Sequence, residues 1–168
     1  MRMREIALIV HDIRSTHNVG SLLRTADGFG VQQLYFTGYT PYPPATPDER
    51  LPYIAEKLGK QINKTALGAE HSVPWEYSQD IYELVQELKR KGYRLVALEQ
   101  HETAIQLPEY QAPDKVALLI GREVEGIDTE LLEQMDDILE IPMFGQKESF
   151  NVAQATAVAL YHLRFSGQ

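Results

Sequence analysis

Three short clusters of polar residues and glycines in the sequence carry groups that could take part in chemistry. The first cluster spans residues 18–27 and places Arg24 six residues after Asn18. A guanidinium is planar and permanently charged, so Arg24 suits a clamp on a phosphate or a carboxylate. Asn18 is also a good helix cap, which would leave Arg24 as a solvated helix residue or a partner of Asp27. The spacing alone favours this second, structural interpretation.

The second cluster, Gly121-Arg-Glu123-Val-Glu-Gly126, directly follows an apolar run at residues 116–120. Glycines at such a position let the backbone turn tightly and approach a ligand closely. The cluster lacks the Gly-x-Gly-x-x-Gly pattern of dinucleotide-binding loops and the Lys-Ser/Thr ending of a phosphate-binding P-loop. Taken alone, a cluster of this kind is more often a turn than a binding site.

The third cluster, residues 141–152, joins the end of an apolar run to the start of a final helical segment. Ser149 or Asn151 can simply cap that helix. Neither a Ser-His-Asp order nor a Gly-x-Ser-x-Gly elbow supports Ser149 as an acyl nucleophile. The five histidines lack paired ligand spacing and cysteine is absent, so we expect no metal site.

The net charge of −8 argues against a basic coat over the whole surface. Eight of the 24 acidic residues lie between Glu123 and Glu140, and the rest of the chain is nearly neutral. We interpret this run as a solvated helix face, so any nucleic-acid contact must be a local basic patch. The sequence shows no signal peptide and no membrane span, which predicts a cytoplasmic protein without membrane contact.

The elements that must position the clusters are alternating strands and helices, which predict an α/β fold with a mostly parallel sheet. Prolines bar regular structure through most of residues 38–52. Ligands of such sheets bind beyond the carboxyl ends of the strands, where all three clusters lie. Strands are predicted at 6–10, 34–37, 73–75, 94–98, 116–120 and 138–141, and helices at 18–30, 54–67, 81–92 and 151–165.

In this order the three clusters resemble the three motifs of the SpoU (TrmH-like) branch of the SPOUT RNA methyltransferases. Residues 18–30 are similar to the first motif, 119–126 to the second, and 141–152 with the alanine-rich helix to the third. The resemblance covers nearly the whole chain. It implies one methyltransferase domain over 1–168, without a separate RNA-binding domain, and a C-terminal trefoil knot.

The resemblance implies S-adenosylmethionine as the cofactor, no metal, and methyl transfer to a ribose 2′-hydroxyl of tRNA or rRNA, with tRNA favoured by analogy. In this family the cofactor lies bent between three loops, which correspond here to residues 98–100, 121–126 and 141–150. The implied cofactor contacts are Leu98, Glu99, Gly121, Glu123, Gly126, Ile141, Met143, Ser149 and Phe150.

Family reasoning gives Arg24 the central catalytic role, with four other residues arranging the site. Because a protonated guanidinium has no acceptor, we expect Arg24 to hold the adjacent phosphate, which itself accepts the proton. Arg122 and Gln154 depart from the family pattern, and Arg122 is expected to add an RNA or phosphate contact. The four arranging residues are Asn18, Glu123, Ser149 and Asn151.

Family membership also implies a homodimer with its active site near the subunit boundary, and the final helix would supply part of the interface. Packing of that helix inside one subunit would use the same residues. Two alternatives remain: an inactive knotted module for RNA binding or dimerisation, and a small-molecule α/β enzyme without RNA affinity. Candidate RNA contacts are Arg2, Arg4, Arg14, Arg24, Arg50, Lys57, Lys60 and Lys64.

Overall fold

The structure is a computed structural model that describes residues 3–167. Its described strands form one seven-stranded sheet in which every neighbouring pair is parallel. The strands are β1 (Glu5–His11), β2 (Gln33–Thr37), β3 (Trp75–Ser78), β4 (Arg94–Leu98), β5 (Ile105–Gln106), β6 (Lys115–Ile120) and β7 (Asp137–Glu140). The helices are α1 (Thr16–Gly28), α2 (Pro52–Ala66), α3 (Ala69–Ser72), α4 (Ile81–Arg90), α5 (Thr129–Leu132) and α6 (Val152–Phe165), with a 3₁₀ turn at Leu107–Glu109.

The order of strands across the sheet is β3-β2-β1-β6-β4-β7-β5. The chain therefore inserts β6 and β7 late, each between strands that precede it in the sequence. This order places the carboxyl ends of β6, β4 and β7 side by side, and the loops that leave them meet at one edge of the sheet. The trefoil knot that the family resemblance implies stays a prediction. The late insertion of these two strands supports it.

Helices cover both faces of the sheet, as parallel sheets require. On one face α1, α2 and α6 bury apolar side chains that include Leu22, Ile62 and Leu160. On the other face α4 and α5 bury Leu88 and Leu131. Each fully buried leucine contributes about 1.5–3 kcal/mol by leaving water. The strands between these layers are apolar on both sides, which is why they appear as continuous runs in the sequence.

The predicted α/β class with a parallel sheet is confirmed, but several local predictions are wrong. Asn18 does not cap α1, because Ser15 lies three residues earlier and its Oγ accepts the Asn18 N–H at 3.1 Å. The third strand begins at Trp75 rather than at residue 73, since Val73 still closes α3 and Pro74 has no N–H to donate.

The acidic run is not a solvated helix face either. Within residues 123–140 only Thr129–Leu132 is helical, and the rest forms a loop, a turn and β7. Two of the acids instead bind neighbouring elements: Asp136 Oδ2 accepts the Leu95 N–H at 2.7 Å, and Asp137 pairs with Arg94. Most acids of the run are nevertheless exposed, so the predicted solvation is right and the predicted helix is wrong.

Asp137 is held by a network of charged and polar side chains, and this network leads to a prediction for the pH dependence of stability. Arg94 donates to both of its carboxylate oxygens at 2.6 and 2.9 Å, and the Tyr110 hydroxyl donates at 2.9 Å. The Arg94 guanidinium keeps the pKa of Asp137 below its usual value, against the effect of burial. A lowered folded-state pKa stabilises the fold above the unfolded-state pKa near 4, and this stabilisation is lost as pH falls further.

We expect Asp137→Asn to lower the free energy of unfolding by about 1–3 kcal/mol at pH 7, because it removes hydrogen bonds to a charged group. The difference from the wild type should shrink at pH 3. Urea denaturation at the two pH values measures both numbers, with the exposed Glu133→Gln as the charge-matched control. An equal loss at pH 7 and pH 3 would contradict the role of the charge.

Candidate active site

The loops after β4, β6 and β7 enclose a cavity of about 230 Å³ at the carboxyl edge of the sheet. Its lining mixes half-buried apolar side chains with polar groups and backbone, which suits a small organic ligand. Val152 and Ala155 of α6 also line it, and the sequence reasoning missed them. The structure brings all nine implied cofactor contacts to this lining: Leu98, Glu99, Gly121, Glu123, Gly126, Ile141, Met143, Ser149 and Phe150.

Glu99 joins two of the loops through backbone hydrogen bonds. Its Oε2 accepts the Ile127 N–H at 2.9 Å, and its Oε1 accepts the Gln100 N–H at 2.9 Å. Gly126 adopts φ of 71°, and a Cβ there would lie 2.3 Å from Glu99 Oε2. The positive φ favours glycine at this point, and a side chain there would force the Glu99 carboxylate to shift.

Arg122 closes the loop after β6 through its own side chain. Its Nε donates to the Gly126 carbonyl at 3.1 Å, and its guanidinium pairs with Asp128. Although desolvation opposes it, the hydrogen bond to Asp128 raises the pKa of Arg122 above its usual value. These contacts use two of its donor groups within the loop, and the expected RNA or phosphate contact at Arg122 stays a prediction. Space is short at Gly121 as well, since a Cβ there would lie 2.6 Å from Ile127 Cγ1.

Three polar side chains from the three motifs form a hydrogen-bonded chain that begins at Glu123 on the cavity lining. Asn18 Nδ2 donates to Glu123 Oε1 at 3.3 Å, and Asn151 Nδ2 donates to Asn18 Oδ1 at 3.4 Å. Asn151 Oδ1 also accepts the Ala153 N–H at 2.9 Å, which confirms Asn151 as the cap of α6. Ser149 lies on the same lining, but no hydrogen bond joins it to these groups within residues 3–167.

Arg24 lies away from this cavity in the same subunit. Six residues of α-helix correspond to about 600° of rotation, so Arg24 points about 120° away from Asn18. Its side chain is exposed and makes no ion pair or hydrogen bond in the described part of the chain. The structure thus does not bring Arg24 together with the other four predicted residues. It places Arg24 in a separate depression of about 390 Å³ that is also lined by Ser21, Thr25, Lys64, Thr65 and Leu67.

Two of the predicted RNA contacts are instead used inside the fold. Arg50 donates to the carbonyls of Tyr42 and Pro43 at 2.8 and 2.9 Å and pairs with Asp48, which orders the proline-rich segment. Arg4 donates to backbone carbonyls at the end of α6. Both guanidinium groups are therefore engaged within the fold, by backbone oxygens and, for Arg50, also by the Asp48 carboxylate. Arg2 lies outside the described residues.

The remaining basic candidates lie on the surface. Arg14 is exposed, with its guanidinium carbon 5.3 Å from the centre of the Tyr39 ring. Lys57, Lys60 and Lys64 are exposed along α2. Within residues 3–167 no cluster of His, Cys, Asp and Glu could hold a metal ion, and no helix there is long and apolar enough to cross a membrane.

A parallel α/β sheet with a cavity beyond three adjacent strand ends defines a class of small-molecule-binding domains. Residues 5–161 match the model of the SpoU rRNA Methylase family. The chain belongs to this family, and the resemblance of the three motifs is thereby confirmed.

Several RNA methyltransferases are similar to this chain over most of its length. A tRNA (guanosine(18)-2'-O)-methyltransferase of Aquifex aeolicus is 26% identical over 95% of this chain and 69% of its own length. A 23S rRNA (guanosine(2553)-2'-O)-methyltransferase of Bacillus subtilis is 29% identical over 94% of this chain and 57% of its own length. An AdoMet-bound rRNA methyltransferase from Sinorhizobium meliloti shares the fold, with a TM-score of 0.80 at 21% identity over 96% of this chain and 56% of that chain. This chain therefore spans only part of the length of each of these proteins.

Proposed function

We propose that this chain is an S-adenosylmethionine-dependent RNA methyltransferase that acts on a ribose 2′-hydroxyl of tRNA or rRNA. The observation that carries the proposal is the convergence of all three family motifs on one edge of the sheet, where two of them and the loop after β4 line a single cavity. The names of the Aquifex and Bacillus relatives support the reaction class. We also propose a cytoplasmic location for an enzyme that acts on these RNAs.

The cavity fits the cofactor chemically. Leu98, Ile141 and Met143 offer half-buried apolar surface to an adenine ring, and the neighbouring backbone offers donors and acceptors to its edge. When bound, S-adenosylmethionine supplies a methyl group already activated by the sulfonium charge. The protein then has to position the ribose hydroxyl and provide for its proton.

We further propose a homodimer in which Arg24 of the partner subunit completes each site. Arg24 lines a different depression from the cavity of its own subunit, whereas Glu123 lines that cavity and Asn18 binds Glu123. An exposed apolar stripe on α6 offers an interface, because Val158, Tyr161 and Phe165 are 46%, 60% and 49% exposed. In such a site the guanidinium holds the phosphate beside the target ribose.

Two assays test the proposed function together. Calorimetric titration with S-adenosylmethionine should show binding to the wild-type chain, and tritium from the labelled methyl group should enter undermethylated tRNA or rRNA. Cofactor or RNA binding without transfer would indicate the inactive module. Methyl transfer to small molecules by a protein that has no affinity for RNA would indicate the small-molecule α/β enzyme.

Asn18 and Ser15 provide a matched pair of substitutions on one turn of α1. We expect Asn18→Ala to lower kcat by about 10- to 100-fold, because Glu123 and Asn151 lose their common partner and the site geometry loosens. We expect Ser15→Ala to leave kcat nearly unchanged and to cost about 1 kcal/mol of stability, because it removes the helix cap. If Ser15→Ala lowers kcat and Asn18→Ala costs only stability, Asn18 is the helix cap and its role in the site is contradicted.

A further inference from the structure

The solvent-exposed face of α2 carries a basic stripe that the proposed catalytic groups do not use. Tyr53, Lys57, Lys60 and Lys64 follow one another at intervals of four, three and four residues. At about 100° per residue, these four side chains share a sector of about 60° on the helix. All four are exposed, while Ala55, Ile62 and Ala66 on the other side of the helix are buried. We call these four residues the α2 face.

The charge of the α2 face is not balanced within the chain. Lys57 and Lys64 make no ion pair or hydrogen bond with the rest of residues 3–167. Lys60 pairs with Glu56 at 3.0 Å, but both side chains are largely exposed, and such pairs contribute little. A cation in the last turn of a helix is favoured by the helix dipole, which accounts for Lys64 alone. The lysines in the middle of the helix repel one another in a chain that is otherwise acidic.

The stripe leads to Arg24. Lys64 and Arg24 line the same depression between α1 and α2. The two helices touch at their backbones there, because a Cβ on Gly20 would lie 2.3 Å from the Ile62 carbonyl oxygen. Lys57 and Lys64 are separated by a rise of about 10 Å along α2 with Lys60 between them, so the three charges are spread along a line rather than gathered at one point. Lys64 therefore links the α2 face to Arg24 through the depression that both line.

We propose that the α2 face binds the sugar-phosphate backbone of the RNA next to the target nucleotide and leads that strand to Arg24. This inference rests on the proposed function and adds the surface that holds the substrate. Phosphate is the partner because three point charges in a row, without a matching shape, recognise a repeated anion rather than a single small ligand. Tyr53, 68% exposed at the far end of the stripe, provides a ring on which an unpaired base stacks.

The triple variant K57Q/K60Q/K64Q removes the charge and keeps good helix formers on α2. The matched control K89Q/R90Q/K91Q removes three charges at the end of α4, on the opposite face of the sheet. Binding of fluorescent, unmodified transcribed tRNA is measured between 50 and 200 mM KCl with S-adenosylhomocysteine present. Circular dichroism and cofactor titration confirm that each variant is folded.

We expect the plot of log affinity against log salt to become shallower by about 2 units in the α2 variant, since each lost phosphate contact removes about 0.7. KM for RNA should rise while kcat at saturating RNA changes little, and the α4 control should keep the wild-type slope. Tyr53→Ala should weaken binding several-fold, and Tyr53→Phe should retain it because stacking needs only the ring.

Two results overturn the inference, and they are distinguishable. If the wild type methylates RNA and the α2 variant keeps both the wild-type salt slope and KM, the α2 face is not the RNA surface, while the proposed function stands. If the wild type neither binds nor methylates tRNA or rRNA, the proposed function itself is wrong and this inference falls with it.

Discussion

Arg24→Ala is expected to lower methyl transfer by about 100- to 1,000-fold while the affinity for S-adenosylmethionine stays within about two-fold of the wild type. The two effects separate because Arg24 is exposed on α1 and does not line the cavity between the three loops. Its expected work is to hold the phosphate beside the reacting ribose. Single-turnover transfer and calorimetric titration measure the two quantities on the same preparation.

Arg24→Lys is the matched control, because it keeps the charge and removes the planar fork. A lysine contacts phosphate as a point charge, so we expect only partial recovery of the rate. Full activity in Arg24→Ala would refute the assigned role. Loss of cofactor binding in that variant would show that the substitution disturbs the fold rather than the chemistry.

Co-expression of two differently tagged subunits decides which subunit supplies Arg24. One subunit carries Arg24→Ala and the other a cofactor-site substitution, Gly126→Val. If the site is shared, half of the randomly assembled dimers are mixed, each has one complete site, and the mixture recovers about one quarter of wild-type activity. Purified mixed dimers without activity would place Arg24 and the cofactor of a working site in the same subunit.

Gly126→Ala is expected to weaken S-adenosylmethionine binding by at least about ten-fold and to cost about 1–2 kcal/mol of stability from backbone strain. The new Cβ would lie 2.3 Å from Glu99 Oε2, so the carboxylate that ties the loops after β4 and β6 has to move. Both loops line the cavity, and their separation therefore opens the cofactor site.

Gly92→Ala is the control that separates the effect of backbone strain from the effect of the clash with Glu99. Gly92 also has a positive φ, 85°, but a Cβ there would meet no atom within 4 Å. We expect a similar loss of stability with unchanged cofactor affinity. Equal cofactor affinities for the two variants and the wild type would contradict the role of the Glu99 tie. Isothermal titration and thermal unfolding of both variants supply the comparison.

The apolar runs and helical periodicities were sufficient to predict the fold class, because a strand buried on both faces reads as a continuous apolar segment. The edge strand β5 was missed, since it has only two residues, Ile105 and Gln106, and neither pattern nor length marks it. The sequence predicts Asn18 as the cap of α1, but Ser15 is an equally good capping residue and lies within one turn of it. Residue type alone does not choose between two neighbouring caps.

Sequence order also separates residues that the fold brings together. Leu98, Gly121 and Ile141 meet because β4 lies between β6 and β7, an order that no local pattern contains. Arg24 and Asn18 show the opposite case, since they are close in sequence but point in different directions from one helix. The sequence also does not predict whether a cationic side chain is paired inside the fold. Arg50 binds backbone carbonyls, whereas Lys57 has no partner within the described chain.

The position of the transferred methyl group is the most direct measurement. RNA labelled with S-adenosyl-[methyl-³H]methionine by the wild-type chain is digested to nucleosides and analysed by mass spectrometry, and a parallel sample is treated with alkali. A 2′-O-methyl group blocks alkaline cleavage of the next phosphodiester bond, because that cleavage needs the free hydroxyl. We predict tritium in 2′-O-methylnucleosides and in alkali-resistant dinucleotides, and about 100- to 1,000-fold slower labelling with Arg24→Ala. Tritium on a base, or no RNA labelling with any tRNA or rRNA, would contradict ribose methylation by this protein.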